Sequence, residues 1–214
     1  MDEPQSRQAC GLTACDHDER ARGRLLRAAA DVFDRKGYAA ASVREIVEQA
    51  GITKPVLYYH FGSKEGMLVA ILEEGARLFE QAVARALTCP GSVRQRVAAL
   101  CEEVYSLFRD NVPAVRVAHA LFFGPREGLP AFDFTKFERV LRPAITRLVE
   151  EGMATGELRE AHPEDVSMAI NGVIAGCTDQ ELNPCGTPVG IDGIHRVLDL
   201  IFDGLSATHN EKEN

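Results

Sequence analysis

The chain has 214 residues, 45% of them hydrophobic and 26% charged, with no Trp and only 10 Pro and 18 Gly. That composition excludes disordered, collagenous and low-complexity classes, and the length suffices to bury a core without disulfides or metals. The formal net charge of −8 speaks on its own against a nucleic-acid binder, but it is unevenly placed: −3 over residues 1–18, +3 over 19–66 and −8 over 67–214. A basic stretch joined to an acidic body is the pattern of a DNA-reading head on a domain that does not read DNA.

The first residues hold no basic segment leading into an apolar run, and no stretch nears the roughly 18 consecutive apolar residues of a membrane helix. A cytoplasmic protein is expected. The six cysteines have no Cys-x-x-Cys pair, so reduced thiols are expected.

Residues 1–17 show no periodicity and are expected to be a flexible lead. A helix then starts at Asp18 as N-cap, carries Leu25, Ala28, Ala29, Val32 and Phe33 on one face, and stops at Lys36-Gly37. Ser42 and Glu45 have the spacing of a capping box, so a second helix starts there and ends at Gly51. Thr53 caps a third helix, which tolerates Pro55 in its first turn and ends near Phe61-Gly62. Two short helices joined by a three-residue turn containing Gly form a helix-turn-helix.

Ser63 opens a long helix, and apolar stripes at helical spacing follow over about 92–110, 113–123 and 133–151. Pro143 predicts a kink or break near Leu141. Two further helices are expected over 163–182 and 190–206, and no segment has the pattern of a strand. The fold class is therefore all-α: a three-helix head over 18–66, a larger helical domain over 67–208 and a flexible tail over 209–214.

The segment from Ser42 through Ala50-Gly51, Leu57-Tyr58-Tyr59-His60-Phe61 and Ser63-Lys64-Glu65, with the upstream Phe33-x-x-x-Gly37-Tyr38, resembles the DNA-binding head of the TetR family of bacterial regulators. The likeness covers residues 20 to about 72; beyond it, only the number and order of helices agree with that family. A reading helix in the major groove must offer side chains to base edges while cations and hydroxyls around it hold phosphates. Lys54 suits guanine, Val56 a thymine methyl, and Thr53 either of the two. The resemblance implies DNA-contact roles for Ser42, Arg44, Thr53, Lys54, Val56, Tyr58, Tyr59, His60 and Lys64.

Half of the ten phenylalanines lie within residues 122–137, around the loop Gly124–Pro130. They suit either a plain core or an apolar pocket. Candidate pocket residues are Tyr105, Phe108, Arg116, His119, Phe122, Phe123, Phe134 and Phe137. His119, between two alanines, also fits an ordinary core histidine. On the last two helices Ile170, Val173, Ile174, Cys177, Ile194, Val197, Leu198, Ile201 and Leu205 are candidate dimer contacts, with Gly172 and Gly176 allowing close approach.

No cofactor or metal is expected. Cys10, Cys15 and His17 lack a fourth ligand, and Asp192-x-x-His195 lacks the second copy that di-iron bundles need. Phosphate-loop, zinc-protease and nucleophile-elbow motifs are absent, and Cys101 or Cys177 as a redox sensor competes with plain burial. The expectation is a homodimeric transcriptional regulator, not an enzyme: a repressor on a pseudo-palindromic DNA operator, released by a small hydrophobic effector. The alternatives are a constitutive DNA-binding protein without a ligand and an α-helical enzyme.

Overall fold

A computed structural model describes residues 14–124, 130–183 and 185–205. The described residues form helices α1 (Ala14–Ala40), α2 (Val43–Ala50), α3 (Lys54–Phe61), α4 (Lys64–Leu87), α5 (Val93–Asp110), α6 (Val112–Phe123), α7 (Thr135–Ala154), α8 (Pro163–Leu182) and α9 (Gly190–Leu205). Of the expected lead over 1–17, residues 14–17 are helical and 1–13 lie outside the described residues, as do 125–129, the residues from 206 with the expected tail over 209–214, and the side chains of Cys15 and Leu205. The chain divides into two compact units, Met1–Ala70 and Ile71–Asn214.

In the first unit, α1 starts earlier than its sequence suggests. Asp18 lies inside the helix rather than capping it, because Ala14 and the residues after it extend the helical hydrogen bonding by a turn. Near its other end Gly37 adopts φ 76°, a conformation that costs other residues a steric clash, and so breaks the helix where Lys36-Gly37 was expected to stop it. Ser42 forms the expected capping box, and Gly51 closes α2 with φ 60° while its N–H and that of Ile52 return to carbonyls of the last turn. Leu25, Ala28, Ala29, Phe33, Ile46, Val47, Leu57, Met67 and Leu68 make the shared core.

In the second unit, α5 is surrounded by α7, α8 and α9. Val97, Leu100, Cys101 and Val104 of α5 pack with Ile145 and Leu148 of α7, Ile170 and Ile174 of α8, and Leu198 of α9. The start of α5 is capped twice. Ser92 and Gln95 make a capping box, and the Glu157 carboxylate accepts from the N–H groups of Val93 (2.8 Å) and Arg94 (3.0 Å).

Of the kink or break expected near Leu141, the break does not occur, since α7 runs from Thr135 to Ala154 with Pro143 inside it. Pro143 sits on the exposed face, where water can satisfy the carbonyl that the missing N–H leaves open.

Candidate DNA interface

Helix α3 is two turns long, and Leu57 is its fully buried residue, at 0% exposure. Around the inward Leu57, the i, i+4 pairs Lys54/Tyr58 and Pro55/Tyr59 are all exposed, Tyr59 by 77%. Thr53 takes the extended N-cap conformation, but its hydroxyl makes no capping hydrogen bond and is left to face outward. Lys54 has no ion-pair partner among the described residues. Val56 is half-buried, so its methyl groups are only partly offered.

The residues around this row divide by what already holds them. Arg44, exposed in the first turn of α2, has its Nε 2.7 Å from Glu48 Oε1, and that carboxylate holds its guanidinium still more firmly protonated. A phosphate can replace an exposed i, i+4 partner at small cost. Ser42 is exposed but occupied, its hydroxyl accepting from Glu45 N–H and donating to the Glu45 carboxylate.

Two expected DNA contacts are corrected by their surroundings. Lys64 donates to the carbonyls of Tyr38 (2.8 Å), Ala41 (3.0 Å) and Ala39 (3.4 Å), and its ammonium stands 4.4 Å from the Tyr38 ring centroid. An ammonium has three donors, and here all three close the frayed end of α1. His60 is buried, with its side chain 6% exposed, and its Nε2 lies 3.3 Å from Asp18 Oδ1. It faces α1, because it follows Leu57 by three residues on the inward side of α3.

Much of the head's positive charge is used internally in the same way. Lys36 pairs with Glu45, Arg35 donates to Gln49 (2.6 Å), and Arg24 donates to the carbonyls of Ala50 and Gly51. Sequence reasoning missed Pro55 and Arg24. Pro55 could have been found from its i, i+4 spacing to Tyr59; Arg24 could not, since its partners are backbone atoms 26 and 27 residues away.

The expected pocket residues separate into three groups. Phe108 and Phe137 are not pocket walls but pack on the buried Phe79, at centroid distances of 6.0 and 5.2 Å. Tyr105 is likewise core: its hydroxyl donates to the Glu181 carboxylate and accepts from Gly190 N–H (3.2 Å), tying α5 to α8 and α9. Phe122 and Phe123 are exposed and form edge contacts with one another, and Phe122 meets Phe134 at 5.5 Å.

His119 is not a core histidine. It is half-exposed, its ring tilted against that of Phe123 (4.5 Å between centroids) and its Nε2 3.5 Å from Asp179. Arg116, His119, Phe123, Asp179 and Asn183 line an open cleft of about 480 Å³ between α6 and α8.

Six of the nine expected dimer contacts are corrected too, while Val197 is exposed. Ile170, Val173, Ile174, Cys177, Ile194 and Leu198 face the chain's own core, since they are the residues that α8 and α9 turn toward α5 and α7. Ile201 is half-buried against that core. The faces turned outward carry Met168 (70% exposed), Ala169, Gly172 and Gly176 on α8, and Val197 and Leu200 (75% exposed) on α9.

Among the described residues no helix is long and apolar enough to cross a membrane, and no cluster of three His, Cys, Asp or Glu could hold a metal ion.

Comparison with known proteins places these elements. The profile described as "Bacterial regulatory proteins, tetR family" matches residues 25–71, which span the helix-turn-helix. The chain is 39% identical over 100 residues to the HTH-type transcriptional activator FasR of Mycolicibacterium smegmatis, covering 47% of this chain and 45% of that protein's length. It is 30% identical over 148 residues to the HTH-type transcriptional repressor KstR2 of the same organism, covering 64% of this chain and 67% of that one.

The fold is that of the TetR family regulator PfmR from Thermus thermophilus, with a TM-score of 0.67 at 23% identity over 86% of this chain and 99% of that one. The helix-turn-helix geometry, the profile over it and the likeness to KstR2 across two thirds of that repressor agree: this chain belongs to the TetR family of bacterial transcriptional regulators.

Proposed function

We propose that the protein is a homodimeric, ligand-responsive repressor, not an enzyme, that reads a pseudo-palindromic operator with α3. The observation that carries the proposal is the outward row of Thr53, Lys54, Pro55, Tyr58 and Tyr59 on a helix held by Leu57. These side chains offer a cation, two phenols and a hydroxyl to one groove, with Arg44 beside them for phosphate. The head corresponds to residues 18–66 and the regulatory body to 67–208. Two reading helices must lie near 34–36 Å apart, or a multiple, to meet successive half-sites.

The outward faces of α8 and α9 supply the symmetric contact. Small residues at 169, 172 and 176 let a partner helix approach closely, while Met168, Val197 and Leu200 supply apolar area. Repression is favoured over activation because the regulator alike over the longer stretch, KstR2, is named a repressor. An apolar effector in the second unit would act through α4, whose residues 64–87 run from the head into that unit. A coupling of about 1–3 kcal/mol changes DNA affinity by roughly 5- to 150-fold.

The test is selection of binding sites from a random duplex library with the full chain, followed by fluorescence anisotropy on a selected and a scrambled duplex at about 150 mM salt. More than about tenfold preference for the selected duplex, with two chains per site and inverted half-sites, is the expected result. Equal, strongly salt-dependent binding to both would favour the constitutive, non-specific alternative.

A further inference from the structure

The profile that identifies the head begins at Leu25, yet side chains just before that residue reach the turn that leads into the reading helix and the last turn of that helix. At the near end, Arg24 Nη2 donates to the carbonyls of Ala50 and Gly51, the last residue of α2 and its cap. The guanidinium is seated against the turn itself, since a Cβ on Gly51 would stand 2.8 Å from the same nitrogen.

At the far end, Asp18 Oδ1 lies 3.3 Å from Nε2 of the buried His60, a nitrogen that makes no well-formed hydrogen bond and has this carboxylate as its near polar neighbour. One turn along α1, the Arg22 guanidinium stands 5.9 Å from the Phe61 ring centroid. Away from these ends Leu57 is the one fully buried anchor of a two-turn helix, and base readout fails when its donors move by a fraction of an ångström or a few tens of degrees.

We propose that Asp18, Arg22 and Arg24 are positioning residues for base readout, a clamp from the first turns of α1 that fixes the roll of α3 through the turn before it and through its last turn. The proposal rests on the DNA-reading function given above. The clamp makes discrimination between sequences, rather than general affinity for DNA, depend on residues that need touch no base.

The experiment uses the full chain and the duplex selected by the wild type, with a scrambled duplex beside it. Arg24→Met is expected to weaken binding to the selected duplex by about tenfold or more and to leave the scrambled duplex within about twofold. Arg24→Lys, whose ammonium can still donate to both carbonyls, is expected to recover most of that loss. Asp18→Ala and Arg22→Leu should give smaller losses of the same selective kind. Circular dichroism and thermal melting of each variant report folding.

The proposal is overturned if a folded Arg24→Met variant keeps the wild-type discrimination, loses both duplexes equally, or is matched by Arg24→Lys. Should Arg24→Met not fold, unchanged discrimination in both Asp18→Ala and Arg22→Leu overturns it instead. If the wild type selects no duplex, the DNA-reading function and the clamp fall together; a selected duplex with unaltered variants removes the clamp alone.

Discussion

Lys54 and Lys64 show how the same side chain takes different roles ten residues apart. Lys54 is exposed at the first position of α3 with no ion-pair partner among the described residues, whereas Lys64 donates to the carbonyls of Tyr38, Ala39 and Ala41 at and just after the end of α1. Lys54→Ala is therefore expected to cost about 1–3 kcal/mol on the selected duplex and to relax preference at one base pair, read by anisotropy on single-substituted duplexes.

Glu45 gives a pH-dependent counterpart within the head. Hydrogen bonds from Lys36, and then from Ser42, hold its carboxyl below its ordinary range. A depressed folded value means that folding favours the ionised form. The stabilisation is complete above the ordinary carboxylate value of about 4.3 and is lost as pH falls through the lower folded value. The melting temperatures of wild type and Glu45→Gln should differ near neutral pH and converge as the pH drops below that range.

Cys101 completes the residue scale. Burial, then the neighbouring Cys177 and Glu102, push its thiol up to about 12, which leaves almost no thiolate at neutral pH. Alkylation followed by peptide mass spectrometry should label exposed Cys185 in the native protein and Cys101 only after unfolding. Rapid native labelling of Cys101 would return it to the list of redox-sensor candidates.

At the scale of the element, local signals and long-range ones part company. The capping boxes at Ser42 and Ser92 are formed by residues three apart, so that at Ser42 could be read from spacing alone. The Glu157 cap on α5 is formed from 63 and 64 residues away, and no spacing announces it. Glu157→Ala should cost about 1–2 kcal/mol in urea unfolding, while Glu157→Gln, which keeps an acceptor without the charge, should lose less. Pro143 is the converse case: the chemical rule is local, but its consequence depends on facing water, which only packing decides.

For the whole molecule, the decisive feature is that α8 and α9 are apolar on two sides. Ile174 and Leu198 close the core, while Leu200 and Met168 face outward. The two faces predict opposite failures. Leu200→Glu should leave the thermal melt close to wild type and drive the sedimentation of a dimer toward a monomer. Ile174→Ala should instead lower stability by about 2–5 kcal/mol through an unfilled cavity. If Leu200→Glu kept the wild-type oligomer, the outward face would not be the dimer contact.

Helix order, the capping box at Ser42, the turn at Gly51 and the outward chemistry of Lys54, Tyr58 and Tyr59 were determined by the sequence alone. Each depends on neighbours a few residues away, where hydrogen bonding and helical periodicity act directly. Tertiary structure decided the rest: that His60 and Lys64 serve the head's own packing, that Tyr105, Phe108 and Phe137 are core, and which face of α8 and α9 is free. Periodicity says that a helix has an apolar stripe, but a side chain becomes core or surface only when a distant element covers it.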